Sequence, residues 1–221
     1  MTLDTIEKET GPKPTASIIW LHGLGADAND FVPLVPELDL QGLGSIRFVF
    51  PNAPVIPVTM NGGYKMRAWY DVLGLEMLRR EDETGLRRSA LLVDELIAQE
   101  RARGIAAKRI VLAGFSQGCA MTLLVGSRYP ERLAGLIGLS GYLPLSTTTA
   151  TERHAMSQGL PVFMAHGQFD PVVPIMSSQA SRDVLRGVGL DVEWHEYPMT
   201  HSTCAEEIRD ISRFLQRILK P

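Results

Sequence analysis

Short apolar runs alternate with longer amphipathic stretches along this chain, and that alternation restricts its fold more than any other feature. Ile18-Ile-Trp-Leu21 reads as a buried strand, followed by a turn and a helix over 29–37. Arg47-Phe-Val-Phe50 is a second strand, stopped by Pro51. A helical stretch over 86–103 carries Leu92, Leu96 and Ile97 at core spacing and stops near Gly104. Strands are expected over 109–115, 133–139, 162–166 and 192–197, and helices over 117–128 and 177–186. The closing helix opens on a capping box, Thr203-Cys-Ala-Glu206, and turns Ile208, Ile211, Leu215 and Leu219 inward. Such an order implies a mainly parallel sheet with helices on both faces and ligands beyond the C-terminal strand ends. No repeat, low-complexity tract or linker interrupts it, so one domain over 1–221 is expected.

Composition removes several classes of function. Twenty-two basic residues face 25 acidic ones for a formal charge of −3, which leaves no electrostatic footprint for nucleic acid. Two cysteines, Cys119 and Cys204, cannot build a disulfide framework and lack the clustering of a structural zinc site. A reduced compartment is a simpler reading than a Cys119–Cys204 bridge. The charged N-terminus has no apolar core of a secretory signal, and no apolar run is long enough for a transmembrane segment. A cytoplasmic location is expected.

Gly114-Phe-Ser-Gln-Gly118 matches G-x-S-x-G directly after a strand and directly before a helix, the context of a nucleophile elbow. Such a turn strains the backbone at Ser116, and Gly114 and Gly118 supply room for it. Ser116 would then stand at a helix N-terminus, where the dipole favours developing negative charge. The bland alternative is a Gly-rich turn carrying an ordinary serine. The elbow predicts the chain order Ser, acid, His. Of the five histidines, His22 precedes Ser116, His154 lies in a polar loop, His166 precedes the candidate acid, and His195 lies inside a strand. His201 follows the last strand and precedes the last helix, so it is the expected general base. Asp183 falls in a helical pattern and Asp191 opens a strand at the wrong sheet edge. Asp170, in a loop beyond a strand and locked by Pro171, is the expected orienting carboxylate, although Asp-Pro alone is ordinary turn chemistry.

Leu21-His-Gly-Leu-Gly25 follows the first clear strand, and its backbone is expected to join the residue after the nucleophile in an oxyanion hole. The donors assigned are the N–H groups of Leu24 and Gln117. His22 is read as a brace for that loop. Gly23 and Gly25 fit neither phosphate-loop pattern.

These segments, with Pro51-Asn-Ala-Pro54, Arg67-Ala-Trp-Tyr-Asp71, His166-Gly-Gln-Phe-Asp-Pro-Val-Val-Pro174 and Tyr197-Pro-Met-Thr-His201, resemble the carboxylesterase and acyl-protein thioesterase family, a compact branch of the α/β hydrolases. They span most of the chain in the right order. The resemblance implies an α/β-hydrolase fold and hydrolysis of carboxylic esters or thioesters without a metal or organic cofactor. It also implies the same catalytic and oxyanion residues. The expected substrate is a small ester of short to medium chain length; the alternatives are an acylated protein or a lysolipid. The resemblance permits a homodimer. Cys119 stands where the family often has a smaller residue, and it is read as a small buried hydrophobe.

Rival readings are weaker. Dienelactone-type hydrolases carry cysteine at the elbow, and a metallohydrolase would need companion ligands for His201 and Cys204. A binding module with a vestigial site conflicts with an intact set of Ser, Asp, His and oxyanion elements.

The segment 52–84 is long for a connection and rich in apolar residues, including Met60, Tyr64, Met66, Trp69, Tyr70, Leu73, Leu75 and Met77. It is expected either to fill a satellite core or to form an acyl-binding wall in which Trp69 and Leu73 face Leu24. No segment is long enough for a separate cap domain.

Overall fold

The computed structural model describes residues 3–74 and 81–220. Among the described residues nine strands run in chain order: β1 (Thr5–Glu9), β2 (Ala16–Leu21), β3 (Ile46–Pro51), β4 (Val55–Val58), β5 (Tyr64–Arg67), β6 (Ile110–Phe115), β7 (Gly135–Leu139), β8 (Pro161–Gly167) and β9 (Asp191–Tyr197). The α-helices are α1 (Glu83–Ala102), α2 (Gln117–Arg128), α3 (Thr149–Glu152), α4 (Ile175–Gly187) and α5 (Ala205–Ile218). Seven strands form one sheet in the order β1-β3-β2-β6-β7-β8-β9, parallel throughout except for β1.

Alternation along each strand feeds two cores. Ile19, Leu21 and Leu112 point to the face covered by Val93 and Leu96 of α1, Leu123 of α2 and Leu185 of α4. Ile18, Trp20 and Val111 point to the other face, under Ile208, Ile211 and Phe214 of α5. Strands buried on both faces read as continuous apolar runs, which is why they were visible in the sequence.

Three local readings differ. The stretch expected as a helix over 29–37 is a 3-10 helix, Val32–Glu37, because Pro36 inside it lacks the N–H that an α-helix would bond to the Val32 carbonyl. Helix α5 takes Cys204, not Thr203, as its N-cap, and no side chain caps it, so Glu207 occupies the third helical position expected for Glu206. The 52–84 segment contains the antiparallel pair β4–β5. Leu75 and Met77 lie outside the described residues. Among the described residues no cap domain covers the C-terminal edge of the sheet, and no helix is long and apolar enough to cross a membrane.

Candidate active site

The turn between β6 and α2 is built by close approach. A Cβ on Gly114 would overlap the Gly118 carbonyl, and one on Gly118 would overlap the Leu21 carbonyl. Ser116 between them adopts φ 55° and ψ −115°, a conformation that L-residues rarely accept. Its N–H is tied to the Leu139 carbonyl at 2.9 Å and its carbonyl accepts from Ala120 at 3.1 Å, so both sides of the strained residue are held.

The loops after β8 and β9 are laced together. Gln168 N–H donates to Tyr197 O at 2.8 Å and Phe169 N–H to Met199 O at 3.1 Å. A Cβ on Gly167 would overlap the carbonyls of Met199 and Thr200, so only glycine permits this approach. Asp170 Oδ2 accepts from His201 Nδ1 at 2.7 Å. Its other oxygen accepts from the N–H groups of Val172 at 2.8 Å and Val173 at 2.9 Å. The Asp170 side chain has no solvent exposure, whereas the His201 ring is 17% exposed. The Phe115 ring packs tilted against His201 with centroids 4.7 Å apart.

The loop after β2 is braced from beneath. His22 Nδ1–H donates to Gly23 O at 2.7 Å, and its Nε2 accepts from Ala53 N–H at 3.0 Å. Burial pushes the His22 pKa down, which keeps the ring neutral as those two bonds require. Gly25 N–H is taken by Arg67 O at 2.9 Å. Among the described residues neither Leu24 N–H nor Gln117 N–H has an acceptor in the chain.

Ser116, Gln117, Leu24 and His201 line one cavity of about 370 Å³, and Tyr70, Val72, Tyr142, Met60 and Val172 supply much of its apolar wall. A second cavity of about 390 Å³ adjoins it at Asp30, Phe115 and His201 and carries Glu37, Ser202 and Thr203. Among the described residues neither Asp30 nor Glu37 is ion-paired.

Two expected wall residues sit elsewhere. Trp69 is fully buried in the core, its Nε1–H donating to His22 O at 2.9 Å. Leu73 does not line that cavity; it lies in a small recess with Glu81 and Asp82 that adjoins the cavity at Tyr70, Val72 and Tyr142. The apolar content of the segment is thus divided: Val58, Ala68 and Val72 form a small core packed by Leu24 and Met66, while Tyr64 stays exposed. Sequence reasoning also missed the Gln117 side chain, which accepts from Trp69 N–H at 3.0 Å and donates to Tyr70 O at 2.9 Å. It missed His166 too, whose Nε2 lies 3.3 Å from Asp170 Oδ2; the His-Gly-x-x-Asp spacing was the available signal. Cys119 and Cys204 are free, and burial pushes the Cys119 thiol far up. Among the described residues no three of His, Cys, Asp and Glu are grouped to hold a metal ion.

A parallel sheet with a strained serine at its central strand end and a histidine after its last strand defines an α/β hydrolase of the serine-hydrolase kind. Residues 3–219 match the phospholipase/carboxylesterase family model, and the chain belongs to that family. It is 42% identical to acyl-protein thioesterase 1 of Mycosarcoma maydis, across 97% of this chain and 95% of that one. It is 38% identical to the protein of the same name from Schizosaccharomyces pombe, across 93% of this chain and 92% of that one. Among solved structures it resembles Arabidopsis thaliana SOBER1, with TM-score 0.88, 31% identity, and coverage of 93% and 99%. It also resembles acyl-protein thioesterase 2 of Zea mays, with TM-score 0.85, 30% identity, and coverage of 97% and 99%.

Proposed function

We propose that this chain is a carboxylesterase that works through an acyl-enzyme on esters of short to medium chain length. The observation that carries this reading is the 2.7 Å contact of His201 Nδ1 with Asp170, in a cavity that His201 shares with the strained Ser116. Because Nδ1 is engaged, Nε2 is the nitrogen left to take the Ser116 proton as Oγ bonds to the substrate carbonyl carbon. Asp170 orients the ring and stabilises the imidazolium. The Leu24 and Gln117 N–H groups, unoccupied by the chain itself, receive the oxyanion, each contributing about 3 kcal/mol to the transition state. Collapse breaks the bond to the leaving group, which departs with the proton from His201. Water then gives a proton to His201 as it attacks the acyl carbon; collapse breaks the bond to Oγ, the carboxylic acid departs and His201 returns the proton to Ser116. His201 must start neutral to accept the Ser116 proton.

The apolar cavity receives the acyl chain, and the leaving group departs past His201 toward the second cavity. A volume of about 370 Å³ is near the lower end of the ~300–1,000 Å³ usual for ligand cavities, which favours modest acyl chains. Covalent labelling of Ser116 by an organophosphonate, followed by kcat/KM on acetate, butyrate, octanoate and palmitate esters, tests the reading. No labelling, or a rate that climbs steadily to palmitate, would refute it.

A second reading is acyl-protein thioesterase activity, favoured by the names of the relatives at 42% and 38% identity. Release of thiol from an S-acylated peptide, against the matched oxygen ester, separates the two.

A further inference from the structure

Two imidazoles meet at one carboxylate oxygen. Asp170 Oδ2 lies 2.7 Å from His201 Nδ1 and 3.3 Å from His166 Nε2. The same His166 nitrogen is 2.9 Å from the Val173 carbonyl oxygen. A carbonyl only accepts, so His166 Nε2 carries the hydrogen and donates it to Val173, with its positive end beside Asp170. His166 has no solvent exposure, and its Nδ1 has no hydrogen-bond partner among the described residues. A purely structural site would be filled more favourably by an apolar side chain of similar shape, so an orphaned buried nitrogen calls for another reason. Burial pushes the His166 pKa down. The Val173 bond and the carboxylates of Asp170 and Glu196 oppose that effect, while His201 adds to it. The ring is therefore neutral and of one tautomer.

We propose that His166 is a positioning residue for the hydrolytic reaction: its Nε2–H clamps the Asp170 loop through Val173 and tempers the charge on the oxygen that orients His201. The proposal rests on the assignment of Ser116, His201 and Asp170 made above. It gives the two oxygens of Asp170 separate tasks. Oδ1 is held by the Val172 and Val173 N–H groups, while Oδ2 accepts from His201 and lies 3.3 Å from the His166 N–H nitrogen. Without the His166 N–H nearby, the charge on Asp170 Oδ2 is less offset, and the imidazolium of His201 beside it is better stabilised.

The test compares His166→Leu, which removes the donor, with His166→Gln, whose amide N–H can reach toward the same acceptors. His166→Leu should lower kcat on a butyrate ester roughly tenfold at neutral pH with KM little changed, as loss of alignment acts mainly on the chemical step. The ascending limb of its pH profile should move to higher pH, and His166→Gln should recover most of both effects. A folded His166→Leu with the wild-type kcat and pH profile overturns the proposal, as does a His166→Gln no better than His166→Leu. Nitrogen NMR of the wild-type protein decides the matter even if the leucine variant does not fold. A neutral Nε2–H tautomer for His166 throughout the pH range where activity rises supports the proposal, and the other tautomer or a titrating ring overturns it. If Ser116→Ala and His201→Ala retained turnover, the underlying assignment would fall instead.

Discussion

Trp69 and Gln117, 48 positions apart, are joined by a hydrogen bond of 3.0 Å from the Trp69 N–H to Gln117 Oε1. The Gln117 amide N–H returns to the Tyr70 carbonyl at 2.9 Å. The residue that follows the nucleophile thus fastens the elbow to the 67–71 segment, and the Trp69 indole fastens that segment to the His22 carbonyl. Gln117→Leu leaves two buried backbone groups unpaired, which should cost about 2–4 kcal/mol of stability. Because the Gln117 N–H is a proposed oxyanion donor, kcat should also fall, roughly tenfold or more, as that donor loses its aim. Urea unfolding and ester kinetics on one preparation check both halves.

Ser116→Ala should abolish hydrolysis, with a loss of about a thousandfold or more, since the remaining groups act only in concert with the nucleophile. His201→Ala should lose nearly as much, and the double variant no more than either. Circular dichroism should be unchanged, because the hydroxyl lines a cavity rather than packing in the core. Wild-type turnover by either purified single variant would remove the proposed mechanism.

Acyl-chain ranking should respond to Val72 and not to Leu73. Val72 lines the cavity with Ser116, whereas Leu73 lines only the adjoining recess beside Glu81. Val72→Phe should shift the ratio of kcat/KM for octanoate over acetate downward by an order of magnitude or so, since each methylene in an apolar pocket is worth ~1–3 kcal/mol. Leu73→Phe should leave the ratio where it was. Reversal of the two results would put the acyl chain in the recess.

Glu207 supplies a pH dependence of stability. Its carboxyl is fully buried, and neither oxygen has a partner of hydrogen-bonding geometry among the described residues. Burial pushes its pKa from 4.5 up to about 8, against the opposing pull of the Cys204 N–H. A folded pKa above the unfolded one means that the folded protein holds the proton longer. The stabilisation is complete below pH 4.5 and is lost as pH rises through about 8. Glu207→Gln should therefore flatten the stability profile across that window. At pH 8 it should gain about 4 kcal/mol, or roughly 8–16 °C in Tm for a domain of this size. Thermal melts at pH 5, 7 and 9 test it; a variant that is less stable at pH 9 would show that the carboxylate form is favoured.

Much of this molecule is written locally. Runs such as Ile18-Ile-Trp-Leu21 and 110–113 had to be strands buried on both faces, because no other short element hides consecutive apolar side chains so completely. The elbow was legible because Gly114 and Gly118 are demanded by backbone approach within five residues. The chain order of Ser116, Asp170 and His201 followed from the strands that precede them. Strand β1 carries no such signal, because Thr5-Ile-Glu-Lys-Glu9 is a charged edge strand in which Glu7, Lys8 and Glu9 are all exposed.

What the tertiary structure alone decided is whatever depends on distance through space between residues remote in sequence. The 52–84 segment announced its apolar character, but hydrophobicity is not directional. Only the packing turned Trp69 into the core, Val72 and Tyr70 into the cavity wall and Leu73 into a side recess. His166 precedes Asp170 in the chain, outside the order expected of a catalytic histidine, yet the turn from β8 brings its ring back to within 3.3 Å of that carboxylate. Chain order determines which strand ends carry the chemistry; the curvature of the loops beyond them determines which side chains meet there.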